Sequence, residues 1–156
     1  MRLLFWVNDP SEVLPSQTTS MLITTAVARG HEVWLCGVAA LALDGRGRIT
    51  ALLTCEAVLI RTNPARDVER AAAHETALIF GEALKARGLV VLNDPAGIRT
   101  TRSKLFLATL PQRLRPGSTV SGDPDVLIEA ITASEAPCVA KPLLGTRGSD
   151  VFKLTA

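Results

Sequence analysis

Leu3-Leu4-Phe5-Trp6-Val7, Asn8-Asp9-Pro10, the run Gln17 to Arg29, Gly30, and then Glu32-Val33-Trp34-Leu35-Cys36 make up the stretch of this 156-residue chain that decides its fold. The first run is short, apolar and closed by a turn signal, the pattern of a strand buried on both faces. Gln17 to Arg29 holds neither Gly nor Pro. Within it Thr18, Leu22, Thr25, Ala26 and Arg29 fall on one helical side, and Gly30 is placed as the terminator. The second apolar run follows at once. Strand, helix and strand joined by short connections predict a parallel, right-handed β-α-β unit.

Outward from that unit the same grammar repeats. Leu41 to Thr54 reads as two short runs around Asp44-Gly45, a hairpin whose turn needs positive φ angles. Ala57-Val58-Leu59-Ile60 is a third strand. Arg66 to Arg87 is the longest predicted helix, with Ala73, Ala77, Phe80, Gly81 and Leu84 on its buried face and Gly88 as its stop. Leu89 to Leu92 is a fourth strand. This order predicts an α/β domain with an open parallel, Rossmann-like sheet, where ligands dock beyond the carboxyl ends of the strands. Asn8-Asp9, Arg61-Thr62-Asn63 and Asn93-Asp94 fall there. Beyond Pro95 the pattern changes. A helical run spans Ser103 to Leu110 and a strand lies near Ser118 to Val120. A helix capped by Asp123 carries Leu127, Ala130, Ile131 and Ser134 on one face, and the strands Cys138 to Lys141 and Asp150 to Leu154 close the chain.

Composition narrows the function classes. Hydrophobic residues at 47% against 21% charged exclude a disordered chain, and 17 basic against 15 acidic residues leave a net charge of +2. That charge is too small to make nucleic acid or an anionic membrane the expected partner. No apolar run approaches the ~18 residues of a membrane span, and Asn8-Asp9-Pro10 ends the first apolar run short of a signal-peptide core. Cys36, Cys55 and Cys138 are dispersed and odd in number, which fits a reducing cytoplasm. His31 and His74 stand alone, without ligand spacing for a metal; they read as structural or solvated. Cys55 and Cys138 read as small core residues, and Trp6 and Trp34 as core or interface aromatics.

The most informative polar stretch is Ala140-Lys141-Pro142-Leu143-Leu144-Gly145-Thr146-Arg147-Gly148-Ser149. A lysine at a strand end holds its ammonium over an anion, and glycines let backbone N–H groups approach phosphoryl oxygens. The same residues also read as a plain Lys-Pro turn, and the ending is not that of a Walker A loop. Gly145 to Gly148 has the spacing of a KH clamp, but its flanks are strands rather than helices. Lys104 reads either as a solvated lysine or as a second cation for the same polyphosphate.

Taken in order, Val7-Asn8-Asp9-Pro10, then Val58 to Pro64, then Leu92-Asn93-Asp94-Pro95 with Ile98-Arg99 and Lys104-Leu105-Phe106, then Ala140-Lys141-Pro142 with the Gly145 to Gly148 loop, resemble the amino-terminal half of bacterial glutathione synthetase, an ATP-grasp ligase. The resemblance runs over essentially the whole chain. It implies a pre-ATP-grasp domain over residues 1–95 and the first, incomplete α+β lobe of an ATP-grasp domain over residues 96–156. It implies ATP and Mg²⁺ as cofactors, with Lys104, Lys141, Gly145, Thr146, Arg147, Gly148 and Ser149 holding the nucleotide phosphates. Asp9 and Arg61 match the substrate side. Asp9 equally reads as a loop cap, and Arg61 as half of a structural ion pair.

The family's substrates would be γ-glutamylcysteine and glycine, joined through an acyl phosphate; another glutamate ligase of the superfamily is the nearest relative reading. The family's acidic magnesium ligands come from a second lobe, which would follow Ala156. The resemblance therefore implies a fragment or natural half, small-molecule substrates, and either a symmetric oligomer or a complementary second lobe as partner. Departures weigh on the peptide substrate more than on ATP. The family's Arg-Lys-Asp-Pro-Pro is here Arg61-Thr62-Asn63-Pro64-Ala65, and Leu144-Gly145 stands where Asp-Gly is usual. A non-catalytic homologue that keeps the scaffold as an interaction or nucleotide-binding module is the alternative.

Overall fold

Four strands, β1 (Arg2–Val7), β2 (Glu32–Gly37), β3 (Ala57–Ile60) and β4 (Val90–Leu92), form a wholly parallel sheet in the computed structural model of the chain. The structure describes residues 1–41, 54–145 and 148–155. Strand order is β2-β1-β3-β4, with Trp6 opposite both Cys36 and Ile60. The order reverses between β1 and β3, so a crevice opens at their carboxyl ends, the place where doubly wound sheets take ligands. The parallel α/β reading of the sequence is the observed one. Of the predicted hairpin, Leu41 to Thr54, residues 42–53 lie outside the described residues.

The chain divides into two compact units, Met1–Arg99 and Thr100–Ala156. In the first, Leu4, Trp6, Cys36, Val58 and Ile60 form one core with Ala77 and Leu84 of α2 (Ala71–Ala86). Alternate residues of β1 point to opposite faces, and Leu4, Phe5, Trp6 and Val7 are all buried, so the strand is covered on both sides. Helix α1 (Thr18–Ala28) packs against β2 with Thr19 and Ala26 buried, while Leu22, expected on its inner face, is exposed. Both helices stop as predicted. At Gly30 and Gly88, φ is +79° and +86°, and the next N–H reaches back to close a Schellman cap, His31 to Ala26 O and Leu89 to Leu84 O at 3.1 Å each. That bond withdraws Leu89 from the predicted strand, which starts at Val90.

Other predicted boundaries move for identifiable reasons. The long helix begins at Ala71 rather than Arg66, because two 3-10 turns, Pro64–Arg66 and Val68–Arg70, precede it and Asp67 between them leaves helical geometry at φ −148°, ψ 59°. Helix α3 (Pro95–Thr101) is an element the sequence reading leaves unassigned; Pro95 occupies a first-turn position and Asp94 accepts from Gly97 N at 2.8 Å. Ser103 to Leu110 is a 3-10 turn, Lys104–Thr109, and Ser118 to Val120 pairs with no described strand. Helix α4 (Pro124–Thr132) starts where predicted, with Asp123 accepting from Asp125 N at 2.9 Å. Strands β5 (Cys138–Ala140) and β6 (Phe152–Leu154) pair antiparallel. Asp150, at φ +57°, cannot extend β6 to the predicted start. Among the described residues no helix is long and apolar enough to cross a membrane.

Gly81 marks the tightest approach in the first unit. A Cβ there would lie 2.8 Å from Pro95 Cγ and 3.1 Å from Ile60 Cδ1. Gly81→Ala gains roughly 1 kcal/mol of helix propensity and loses about 1–3 kcal/mol by overpacking a rigid ring. The expected result is a lower urea midpoint, by a net ~1 kcal/mol, and a midpoint at or above the native value would show that Pro95 yields.

Candidate functional site

At the carboxyl end of β1, Asn8 and Asn63 exchange two hydrogen bonds, Asn8 Nδ2 to Asn63 O at 3.0 Å and Asn63 N to Asn8 Oδ1 at 2.7 Å. Asn93 Nδ2 donates to Ile60 O at 3.0 Å, so side-chain amides tie together the ends of β1, β3 and β4. Arg61 follows β3 directly. Its backbone N–H continues the ladder to Trp6 O at 2.7 Å, and its Nε lies 3.4 Å from Thr19 Oγ1 in the first turn of α1. Arg61 is half-buried, and among the described residues its guanidinium meets this hydroxyl rather than a carboxylate.

Asp9 caps the turn Pro10–Glu12: Oδ1 accepts from Ser11 N at 2.9 Å and Ser11 Oγ at 2.6 Å. Its other oxygen lies 3.3 Å from Arg70 Nη1. Arg70 also donates Nε to Asp67 at 2.9 Å and places Nη2 3.8 Å from Glu12 Oε1. His74, only 2% exposed, pairs its Nε2 with Asp67 Oδ2 at 2.8 Å, and among the described residues its buried Nδ1 meets no partner. The loop cap read for Asp9 is therefore present, and its charge partner is Arg70, which sequence analysis did not single out. The signal was available: Asp67, Arg70 and His74 stand at i, i+3 and i+7, a polar stripe on the start of an apolar helix. Asp9 and Arg70, with Asn8, Trp34, Gly37, Ala39 and Ala40, line an open cleft of about 510 Å³ at the ends of β1 and β2.

In the second unit Lys104 and the loop after β5 come together. Lys104 Nζ donates to Pro142 O at 2.8 Å and lies 3.3 Å from Gly145 O, and its backbone N–H donates to Leu143 O at 2.9 Å. Lys141 is exposed at the head of that loop, one residue before the carbonyl that Lys104 holds. Two cations distant in the chain thus share one loop. Gly145, at φ +144°, leaves open the space where a Cβ would meet Pro142 Cγ at 3.3 Å and Lys104 Nζ at 3.7 Å. Gly148 and Ser149 are exposed in the following turn; Thr146 and Arg147 lie outside the described residues. Among the described residues no group of three or more His, Cys, Asp or Glu could hold a metal ion.

With this geometry in view, comparison places the chain. No family model matches it. It is 36% identical over 110 residues to glutathione synthetase of Bradyrhizobium diazoefficiens, an overlap of 70% of this chain and 33% of that one. The Pseudomonas putida glutathione synthetase is 31% identical over 70% of this chain and 32% of its own length. The Ralstonia nicotianae glutathione synthetase matches all of this chain at 27% identity, over 54% of its own length. Among solved structures, the RimK domain ATP-grasp protein from Sphaerobacter thermophilus superposes with TM-score 0.61 at 23% identity, covering 100% of this chain and 55% of that one. D-cycloserine synthetase DcsG gives 0.63 at 20% identity, over 98% and 50%.

The fold is that of the ATP-grasp ligases. By sequence the chain is a homologue of the bacterial glutathione synthetases, and it spans between 29% and 54% of the length of the curated relatives it matches.

The Asp67 network makes stability depend on acid. Burial alone would raise the Asp67 carboxyl, but hydrogen bonds from Arg70 and His74 outweigh it and hold the group below its ordinary value. A carboxyl lowered on folding contributes stability above its unfolded pKa and loses it as pH falls through the folded one. Urea unfolding of the native chain and of Asp67→Asn should therefore differ most near about pH 6 and converge toward about pH 3. A gap that stays constant with pH would remove Asp67 as its source.

Proposed function

We propose that this chain is the amino-terminal part of an ATP-dependent carboxylate–amine ligase of the glutathione synthetase kind, acting on γ-glutamylcysteine, glycine and Mg-ATP. The observation that carries this is the ammonium of Lys104 seated on the loop that Lys141 opens and Gly145 bends. In such a reaction a substrate carboxylate takes the γ-phosphoryl group, and an amine attacks the acyl phosphate. The protein's share is to position and neutralise phosphate oxygens rather than to form covalent bonds.

The residues present fit a polyphosphate. An ammonium has three donors, and those Lys104 spends on exposed carbonyls are exchangeable for phosphate oxygens, which accept charge-assisted bonds more strongly. Gly145 leaves room for an oxygen beside that ammonium, and Gly148 and Ser149 extend the loop with further N–H groups. A solved ATP-grasp ligase, PsnB, binds Mg and ADP, which supports the same cofactor pair here. The described residues do not fit a magnesium cage, so the metal's ligands are assigned to a complementary lobe. No described residue of Thr100–Ala156 is fully buried, as expected of a lobe that another polypeptide covers. Three free thiols, Cys36, Cys55 and Cys138, suit a reducing, cytoplasmic setting.

Calorimetric titration of the chain with ATP tests the site. Lys141→Ala and Lys104→Ala should each weaken binding about tenfold or more, the worth of a hydrogen bond to a charged group. Saturable binding unchanged in both variants, or none by the native chain, would remove the phosphate role and leave the interaction-module reading.

A further inference from the structure

We infer that the side of the sheet carrying α1 is a two-fold interface between two copies of this chain, in which α1 of each copy covers the open part of the other's sheet. Every residue involved lies in the first unit, so the inference does not rest on the ligase reading.

The two faces of the sheet are covered unequally. The crossovers β1-α1-β2 and β3-α2-β4 lead to opposite edges, so right-handed connections put α1 and α2 on opposite faces. Leu4 and Trp6 meet α2. On the other face Phe5, Leu59 and Leu92 align across three strands. Along that row exposure rises from 1% at Phe5, through half-buried Leu59, to 54% at Leu92, and Val90 beside it on the same face is 53% exposed. Helix α1 packs on β2 and leaves the β4 end of the face open. A wholly parallel sheet is normally covered on both faces.

Helix α1 is also apolar on the side turned away from buried Thr19 and Ala26. Its eleven residues carry no charge. Met21, Thr24, Thr25 and Ala28 stand at i, i+3, i+4 and i+7 and are all exposed, the spacing of a packing stripe. Thr24 Oγ1 donates to Ser20 O at 3.0 Å and Thr25 Oγ1 to Met21 O at 2.8 Å, so both hydroxyls are spent on the helix's own backbone. A helix apolar all round belongs in an interior.

A second copy supplies that interior. Each chain presents, on one side of its sheet, a projecting helix and beside it a strip of sheet without one. A two-fold axis between two copies lays each helix on the other's strip, a self-complementary contact that closes on itself. In that arrangement the stripe of Met21 and Ala28 packs on the partner's Val90 and Leu92. Neither α1 nor β4 carries a charge, so identical surfaces meet without repulsion, whereas a charged partner finds nothing to pair with.

Sedimentation velocity of the full chain is the test. The native chain should sediment as a dimer. Met21→Lys and Leu92→Asp change residues that are more than half exposed in a single copy, so each should keep a native circular dichroism spectrum and weaken dimerisation about tenfold or more. Ile79→Lys, at an equally exposed position on α2 across the sheet, should leave the dimer intact. Mixing the Met21→Lys and Leu92→Asp chains tests the exchange itself. They should form a heterodimer, because one contact then pairs opposite charges and the other is native. A monomeric native chain, which would assign the face to a different polypeptide, equal dissociation by Ile79→Lys, or no recovery on mixing would each overturn the interface. None of these outcomes bears on Lys104 and Lys141, whose test is ATP binding.

Discussion

The burial of β1 on both faces is the constraint to which the rest of the first unit conforms. Leu4, Phe5, Trp6 and Val7 are consecutive and all buried, which only a strand with neighbours at both edges and cover on both faces can achieve. β2 and β3 supply the edges through parallel registers, and α2 seals the face of Leu4 and Trp6 with Ala77 and Leu84. The cover is tight enough that Gly81 has no room for a methyl group. Trp6 pays for this with an indole N–H that finds no acceptor among the described residues.

Once β1 is central, polar chemistry has one place to go. The chain must leave β1 and β3 at the same end of the sheet, and there the backbone groups no longer have ladder partners. Asn8, Asn63 and Asn93 supply the missing hydrogen bonds. Asp9, Arg61 and Arg70 are delivered to the same rim. The second unit solves a different problem: its β5–β6 hairpin has no core to define it among the described residues, and the loop after β5 is held in shape by Lys104 through two carbonyls and a backbone N–H.

Much of the fold was legible from the chain alone. The apolar runs of β1, β2 and β3 and the helix stops at Gly30 and Gly88 were read where they occur. Errors clustered where one residue's side chain rewrites its neighbours' backbone. Asp67 delays α2 by recruiting Arg70 and His74, Asp94 caps a helix that opens with proline, and Asp150 takes a left-handed conformation beside β6. Of the candidate site residues, Lys104, Lys141 and Gly145 were named and lie together; Asp9 was named without Arg70, the residue that balances it.

The amino-acid sequence by itself determined the α/β class, the parallel sheet and the family resemblance, because hydrophobic runs, glycine stops and short motifs are local properties of a chain. Only the tertiary structure decided which charges meet. Arg70 reaches Asp9 across 61 residues and Lys104 reaches Pro142 across 38. Such pairs are set by strand order and helix placement, which depend on how whole elements bury their apolar faces rather than on anything written beside the charges themselves.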